Sequence, residues 1–369
     1  MSLSIGIVGL PNVGKSTLFN ALTKAQNAQA ANYPFCTIEP NTAVVPVPDT
    51  RLAALAKLVN PKVVTPATVR FVDIAGLVKG ASQGEGLGNR FLANIRETGV
   101  VLHVVRAFAE DDVVHVHGGV DPARDMEIIE TELILADAQT METRVERLKK
   151  QAKPGGKDKE AAEALACAER LLAHLMTGQP AASVPDADEP AMAAFLAENR
   201  PITAKKVIYC ANVDEGDVNG ESPAARAVAE RAAARGAGFA VVCARMEEEL
   251  AGMDEAERQE FLASYGVAKS GLDQVIATGY ETLGLISYFT AGPKEVRAWT
   301  VRRGSRAPQA AAEIHTDFEK GFIRAEIISF EEYVRHGSEA KCRLAGVMRL
   351  EGKDYVVRDG DVIHFLFNV

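Results

Sequence analysis

Short apolar segments alternate with helical patterns over the first third of the chain. Apolar runs at residues 5–8, 69–74 and 100–105 predict buried strands. Residues 18–22, which follow the first run, carry apolar side chains at helical spacing. Short strands that alternate with helices are typical of an α/β domain built on a mostly parallel sheet.

The pattern changes near residue 128, where a long helical periodicity begins and continues to residue 148. The sequence Lys-Pro-Gly-Gly-Lys at residues 153–157 interrupts it, and a second helical pattern covers residues 160–176. Two helical patterns joined by a Pro-Gly-Gly turn predict an antiparallel helical hairpin of the coiled-coil type.

Strand patterns resume after the hairpin at residues 207–210 and 240–243. We therefore expect residues 128–200 to interrupt a single α/β domain that covers residues 1–282. From residue 283 onward, short strands surround one helical segment, which predicts a small α+β domain over residues 283–369. Its strands are expected at residues 297–301, 323–328, 354–357 and 362–367, and its helix at residues 307–318.

The overall composition is that of a soluble globular protein, with 47% hydrophobic and 25% charged residues. The sequence has no run of about eighteen apolar residues and no basic N-terminal segment of the signal-peptide kind, so we expect no membrane span and a cytoplasmic location. Its five scattered cysteines form no Cys-x-x-Cys pair, which argues against a zinc site or a disulfide framework. The net charge of −9 excludes a uniformly basic nucleic-acid binder but not a local basic patch.

Residues 9–17, with the sequence Gly-Leu-Pro-Asn-Val-Gly-Lys-Ser-Thr, match the pattern G-x-x-x-x-G-K-[ST] between a predicted strand and a predicted helix. In that context the loop binds phosphate, because its backbone N–H groups and the helix N-terminus face the anion. We expect Lys15 to reach the β- and γ-phosphates and the Ser16 hydroxyl to bind Mg²⁺. The nucleotide-contacting residues expected here are Asn12, Val13, Gly14, Lys15, Ser16 and Thr17.

A second phosphate-facing motif, Asp-x-x-Gly, consists of Asp73 and Gly76 at the end of the strand predicted at residues 69–74. In P-loop nucleotidases an acid at this place holds Mg²⁺, usually through water, and the glycine N–H contacts the γ-phosphate. Thr37 lies between the two motifs and is a candidate hydroxyl ligand of Mg²⁺, although the pattern alone fits an ordinary loop threonine equally well. We expect Ser16, Thr37 and Asp73 at the metal, and Lys15 and Gly76 in catalysis.

The segment Asn212-Val213-Asp214-Glu215 follows a predicted strand, where regulatory GTPases carry Asn-Lys-x-Asp. The GTPase aspartate accepts two hydrogen bonds from guanine. Glu215 is one methylene longer, and Val213 replaces the lysine, so the paired guanine contact is lost and discrimination for guanine should fall. The sequence argues against strict GTP specificity without proving a preference for ATP.

Leu77 follows Gly76 at the place where a Ras-like enzyme carries its water-positioning glutamine. An aliphatic side chain cannot orient water, so we expect slow hydrolysis that uses another group. His115 and His117 lie in a polar segment after the strand predicted at residues 100–105. Either fits a role at the γ-phosphate, with His115 the stronger candidate, and both also fit the pattern of solvated loop histidines.

Two basic clusters occur on this acidic chain. The first surrounds the hairpin turn and contains Arg144, Arg147, Lys149, Lys150, Lys153, Lys157 and Lys159. The second lies in the C-terminal domain and contains Arg297, Arg302, Arg303 and Arg306, with Trp299 among them. They predict either two solvated faces or contacts to a polyanionic partner such as a large ribonucleoprotein.

Together these segments resemble the Obg-like ATPases, the YchF-type subfamily of translation-factor-related P-loop NTPases. The resemblance covers essentially the whole chain. Its most specific parts are residues 9–17, 32–41, 73–81, 212–215, 289–299, 351–355 and 359–362. It implies a P-loop G domain interrupted by an antiparallel coiled coil, followed by a ubiquitin-like β-grasp domain of the TGS type.

The resemblance also implies a preference for ATP, with Val213 lining the adenine site and Ser16 and Thr37 at Mg²⁺. Asn212, Val213 and Glu215 are the nucleotide-binding residues expected in this segment. The family's catalytic histidine best matches His115, and association with the ribosome is expected. Asn12 matches the P-loop asparagine that binds K⁺ in related NTPases, which leaves K⁺ open as a second cation. Cys243-Ala244-Arg245 departs mildly from the usual Ser-Ala-Lys base loop.

Two alternatives remain open at this point. One is an Obg-class GTPase in ribosome assembly, which the segment at residues 212–215 disfavours. The other is a nucleotide-gated adaptor with negligible hydrolysis, in which the nucleotide only orders the loops around Thr37 and Gly76. Nucleotide competition addresses the first alternative, and a turnover assay addresses the second.

Overall fold

The computed structural model describes residues 4–30, 41–74, 87–109, 119–151 and 159–368. The chain divides into two compact units, Met1–Ala43 with Arg70–Gly279, and Val44–Val69 with Tyr280–Val369. The sequence pattern predicts a first domain over residues 1–282, whereas Val44–Val69 belongs to the second compact unit.

The described strands are β1 Ser4–Val8, β2 Thr42–Pro46, β3 Val63–Thr65, β4 Thr68–Asp73, β5 Val100–Arg106, β6 Lys206–Asn212, β7 Gly238–Val242, β8 Leu285–Ala291, β9 Glu295–Arg302, β10 Phe322–Ser329, β11 Arg349–Glu351 and β12 Asp361–Phe367. The described α-helices are α1 Lys15–Ala30, α2 Thr50–Val59, α3 Leu87–Glu97, α4 Pro122–Gln151, α5 Lys159–Met176, α6 Pro190–Asn199, α7 Pro223–Ala234, α8 Ala244–Leu250, α9 Glu255–Ser264, α10 Gly271–Thr282, α11 Ala307–Ile314, α12 Thr316–Lys320, α13 Phe330–His336 and α14 Glu339–Leu344.

The first sheet has the strand order β2-β4-β1-β5-β6-β7. β1 runs parallel to β4 and β5, and β6 runs parallel to β5 and β7. Strands buried on both faces are nearly continuous apolar runs, and every residue of β1 and β5 is buried. The carboxyl ends of these parallel strands meet at one edge of the sheet, where doubly wound α/β folds bind their ligands.

Helices α4 and α5 pack against each other, as expected for the predicted hairpin. Their shared apolar core includes Met141, Leu148 and Leu171, and Phe195 of α6 closes it. The α4 helix begins at Pro122, earlier than the predicted start near residue 128. Asp137 fixes the returning chain, because its buried carboxylate accepts hydrogen bonds from the backbone N–H groups that follow α6, those of Ile202 at 2.9 Å and Thr203 at 2.8 Å.

The second sheet has the strand order β11-β10-β12-β8-β9-β3. β8 and β9 form an antiparallel hairpin, β12 runs parallel to β8, and β10 runs antiparallel to β12. The α11 helix contributes Ala307, Ala310 and Ala311 to a core that contains Tyr288 and Phe365. A hairpin, a helix and a central parallel strand pair form the arrangement expected of a β-grasp domain.

Two predictions for this unit were wrong in detail. Residues 354–357 form only an isolated bridge between Arg306 and Val356, because their backbone groups bond to the turn at residues 305–307 instead of a neighbouring strand. The helix predicted at residues 307–318 is broken at His315, whose backbone is extended. The His315 side chain caps α12 by accepting a hydrogen bond from the backbone N–H of Asp317. Helices α13 and α14 were not predicted. None of the described helices combines the length and apolar character needed to cross a membrane.

Candidate functional site

The loop between β1 and α1 has the backbone shape that its glycines predict. A Cβ at Gly9 would lie 2.4 Å from the carbonyl oxygen of Val104. At Gly14, where φ is +91°, a Cβ would lie 2.1 Å from the side-chain amide nitrogen of Asn212. Asn12 also has a positive φ, 62°. Only glycine, which has no Cβ, can occupy positions 9 and 14, because any Cβ there would clash with the neighbouring atoms. The turn therefore requires glycine at both of these positions.

Lys15 lies at the first position of α1, and its side chain is only 8% exposed. Its Nζ donates hydrogen bonds to the carbonyl oxygens of Gly9 at 2.9 Å and Leu10 at 2.5 Å. Burial lowers the pKa of Lys15 to about 8, while the nearby carboxylate of Asp73 opposes this shift. The Lys15 side chain is therefore mostly charged at neutral pH and loses its charge as the pH rises through about 8.

Asp73 ends β4 directly beside the glycine loop, since it pairs with Ile7 near the end of β1. Burial raises the pKa of the Asp73 carboxyl, and Lys15 opposes this shift. Ser16 is exposed in the first turn of α1. A hydroxyl and a carboxylate at one sheet edge are hard oxygen donors of the kind that Mg²⁺ prefers, so the described residues of the predicted metal set fit this ion.

Several predicted site residues lie outside the described residues. These are Thr37, Gly76, Leu77, His115, His117, Lys153 and Lys157.

Asn212 connects the phosphate loop to a second loop that follows β7. Its side-chain nitrogen donates to the carbonyl oxygen of Val13 at 2.9 Å, and its side-chain oxygen accepts from the backbone N–H of Ala244 at 3.0 Å. The residue is 4% exposed, so both bonds are sheltered from water. One amide side chain thus fixes the distance between the two loops.

A cavity of about 570 Å³ lies between these loops. The volume is within the range of small-molecule sites. Its wall contains the predicted residues Gly14, Thr17, Asn212, Val213 and Glu215, and Arg245 of the segment that matches the base loop. Phe108 and Glu248 also line it and were not predicted. Val213 is 2% exposed and presents an apolar side chain. The cavity lies where the sequence predicted a nucleotide base.

Phe108 is an aromatic residue of the cavity wall that was not predicted from the sequence. It follows β5 as Asn212 ends β6, and these neighbouring parallel strands bring both residues to one edge. The guanidinium of Arg106 lies 4.4 Å from the centre of the Phe108 ring, and the Nε of Arg106 donates to the Phe108 carbonyl oxygen at 3.2 Å. The sequence signal that could have identified Phe108 is its position directly after a buried strand, where α/β folds place ligand-binding residues.

Ion pairs neutralise some of the charged side chains in each basic cluster. Arg144 pairs with Glu198 at 2.6 Å and Lys149 with Glu169 at 3.0 Å. Arg306 pairs with Asp354 at 2.8 Å. The guanidinium of Arg297 lies 3.9 Å from the centre of the Trp299 ring. Exposed side chains remain on both clusters, at Arg147, Lys149, Lys150, Lys159, Arg302, Arg303 and Arg306.

The chain was compared with protein families, known proteins and solved structures. A family model described as a 50S ribosome-binding GTPase matches residues 4–148, and the YchF-GTPase C-terminal model, described as a protein of unknown function (DUF933), matches residues 285–368. The chain is 55% identical over 369 residues to the ribosome-binding ATPase YchF of Haemophilus influenzae, covering 100% of both proteins. It is 50% identical over 372 residues to the ribosome-binding ATPase YchF of Bacillus subtilis, again with full coverage.

A solved structure of the Schizosaccharomyces pombe YchF GTPase superposes with a TM-score of 0.87 at 39% identity, covering 98% of this chain and 97% of that chain. The likeness therefore extends over both units rather than over the glycine loop alone, and it confirms the predicted family and fold class. On this similarity, the chain belongs to the YchF family of P-loop proteins.

Proposed function

We propose that this protein is a Mg²⁺-dependent ATPase that associates with the ribosome and acts as a nucleotide-dependent switch. The observation that carries the proposal is the pair of hydrogen bonds made by the Asn212 side chain. They join the phosphate loop, residues 9–14, to the loop after β7, residues 243–245, which we call the base loop. This arrangement supports one site for both ends of a nucleotide. The names of the Haemophilus and Bacillus relatives support ATP hydrolysis and the ribosome as partner.

In this proposal each end of the nucleotide has its own residues. Ser16, Thr37 and Asp73 hold Mg²⁺, which neutralises phosphate charge, and Lys15 binds the β- and γ-phosphates. The backbone N–H of Gly76 binds the γ-phosphate, and His115 acts on water or on charge that develops in the transition state. Asn12 is the candidate ligand for K⁺. Phosphate release from ATP tests the activity, and its absence in the presence of Mg²⁺ would favour the adaptor alternative.

ATP should bind at least about tenfold more tightly than GTP, a difference of about 1.4 kcal/mol. The buried Val213 and the lengthened Glu215 remove the paired guanine contact of Asn-Lys-x-Asp sites, whereas the Phe108 ring in the cavity wall can contact either purine. Titration with fluorescent ATP and GTP analogues measures the ratio. Tighter binding of GTP would favour the Obg-class GTPase.

A variant pair sharpens this titration. Shortening Glu215 to aspartate should move the ratio toward GTP, because the carboxylate then lies at the distance used in guanine sites. The same change at Glu221, an exposed residue nearby in sequence that does not line the cavity, should leave the ratio unchanged.

Ribosome association should weaken steeply with salt, since phosphate contacts by lysine and arginine release counterions. Charge reversal of Arg147 and Lys150, or of Arg302 and Arg303, should reduce co-sedimentation with ribosomes, because these side chains are exposed members of the two basic clusters. Arg226→Glu on α7 is the matched control, as that arginine is exposed outside both clusters. Association that ignores salt and both reversals would mean that the clusters are solvated faces.

A further inference from the structure

A buried carboxylate, Glu247, lies one helical turn after the base loop. It belongs to α8 and is 3% exposed. The carboxylate accepts hydrogen bonds from the backbone N–H groups of Gly271 and Leu272 and from the hydroxyl of Ser270. Burial raises the pKa of Glu247 to about 7, so these bonds hold a group that the interior disfavours in its charged form.

The serine hydroxyl is itself oriented toward Glu247. The oxygen of Ser270 accepts from the backbone N–H of Asp273 at 3.1 Å and from the guanidinium of Arg258 at 3.0 Å. Arg258 also pairs with the Asp273 carboxylate at 2.6 Å. With both acceptor positions of its oxygen in use, Ser270 has one proton left, and that proton is donated to Glu247.

These bonds join α8 to the N-terminus of α10, at a place where the backbone segments are closely packed. A Cβ at Gly271 would lie 2.6 Å from the carbonyl oxygen of Val241 and 2.8 Å from the Cα of Val242, so the start of α10 rests directly on the end of β7. The next residue, Cys243, begins the base loop. Glu247 therefore ties the helix that follows the loop to the strand end that precedes it.

The first residues of α8 lie at the candidate nucleotide cavity. The backbone N–H of Ala244 bonds to Asn212, and Arg245 and Glu248 line the cavity. Two polar attachments then hold this short helix in addition to the buried side chains of Met246 and Leu250. Asn212 bonds to its first residue, and Glu247 lies one turn later. A helix of seven residues has little stability of its own, so its position depends on such tertiary contacts.

We propose that Glu247 is the positioning residue for the nucleotide base, which holds residues 243–245 against the cavity without touching the nucleotide. This inference rests on the proposed nucleotide site and deepens it. Because α8 lies on the base side of the cavity, Glu247 contributes to recognition of the base and sugar and leaves phosphate binding to the glycine loop.

The test compares ATP with tripolyphosphate, which occupies the phosphate loop and lacks the base. In the Glu247→Gln variant, an amide replaces one acceptor oxygen and faces the N–H groups of α10. We expect about a tenfold loss of ATP affinity with unchanged tripolyphosphate affinity, measured by calorimetry. The single-turnover hydrolysis rate at saturating ATP should also be unchanged, because the phosphates remain in place. Glu249→Gln, an exposed residue of the same helix, is the matched control and should behave as wild type.

Ser270→Ala provides a second route that leaves α8 untouched. It removes one hydrogen-bond donor to Glu247. We expect ATP affinity to fall by a few fold, with tripolyphosphate affinity unchanged. Its effect should largely disappear in the Glu247→Gln background, since both changes break the same contact. If the affinities for ATP and for tripolyphosphate fall equally, or if both variants bind ATP as the wild type does, the inference is wrong. A wild-type protein that binds tripolyphosphate but not ATP would instead overturn the proposed function.

Discussion

Replacing Lys15 with alanine is expected to slow ATP hydrolysis by about a hundred- to a thousandfold and to weaken ATP binding, with the fold intact. The ammonium group is the buried cation of the phosphate loop, within 2.9 Å of the Gly9 carbonyl oxygen. Preorganised charge at a phosphoryl group stabilises the transition state more than the bound ground state, which sets this magnitude. Phosphate release under saturating ATP and Mg²⁺ measures it.

Two comparisons make the result interpretable. Lys57→Ala, at an exposed lysine on α2, should hydrolyse ATP as wild type does. His115→Ala should lower kcat and keep ATP affinity, as expected for a group that acts only in the chemical step. Thermal unfolding near the wild-type midpoint would show that Lys15→Ala is folded. Wild-type turnover in that variant would place the catalytic site away from the glycine loop.

ATP affinity should fall by up to about tenfold per pH unit as the pH rises above about 8. The pKa of Lys15 is lowered to about 8 by burial, so the side chain loses its charge above that pH. Bound triphosphate favours the charged ammonium and raises its pKa. Affinity is therefore fully present below pH 8, is lost as the pH rises, and binding near pH 8 takes up a proton.

Calorimetry in two buffers of different protonation enthalpy measures this proton uptake directly. The matched variant is Lys15→Arg, because a guanidinium stays protonated throughout the range. Its ATP affinity should be nearly independent of pH between 7.5 and 9.5, whatever its absolute value. An identical pH profile in both proteins, or binding without proton uptake, would assign the dependence to another group.

Local features of this protein could be predicted from the sequence because their causes are local. The glycine loop needs a strand before it, a helix after it and glycine at two crowded positions, and all three are visible in residues 5–22. The same holds for the pair α4 and α5, whose helical periodicity is long and is interrupted at one Pro-Gly-Gly turn. The parallel sheet followed from the alternation of strands and helices.

Contacts between distant segments decided the rest. The segment at residues 44–69 joins the second unit through the parallel pairing of β3 with β9 and through Arg51, whose guanidinium bonds to the Asp359 carboxylate at 2.8 Å. A three-residue strand and a lone arginine carry no signal for partners so far away in sequence. For the same reason, α13 and α14, which are short and stabilised by tertiary packing, were missed.

The candidate site divides in the same way. The candidate residues for the phosphates and the metal could be proposed from motifs, since the proposed chemistry needs only a few adjacent backbone and side-chain groups. The base cavity is set by the meeting of three strand ends, so the burial of Asn212, the presence of Phe108 and the tie from Glu247 to α10 became visible only in the tertiary structure. Sequence alone predicted the phosphate chemistry proposed for this chain, and tertiary packing decided what lines the neighbouring cavity, because that wall is assembled from residues that are neighbours only in space.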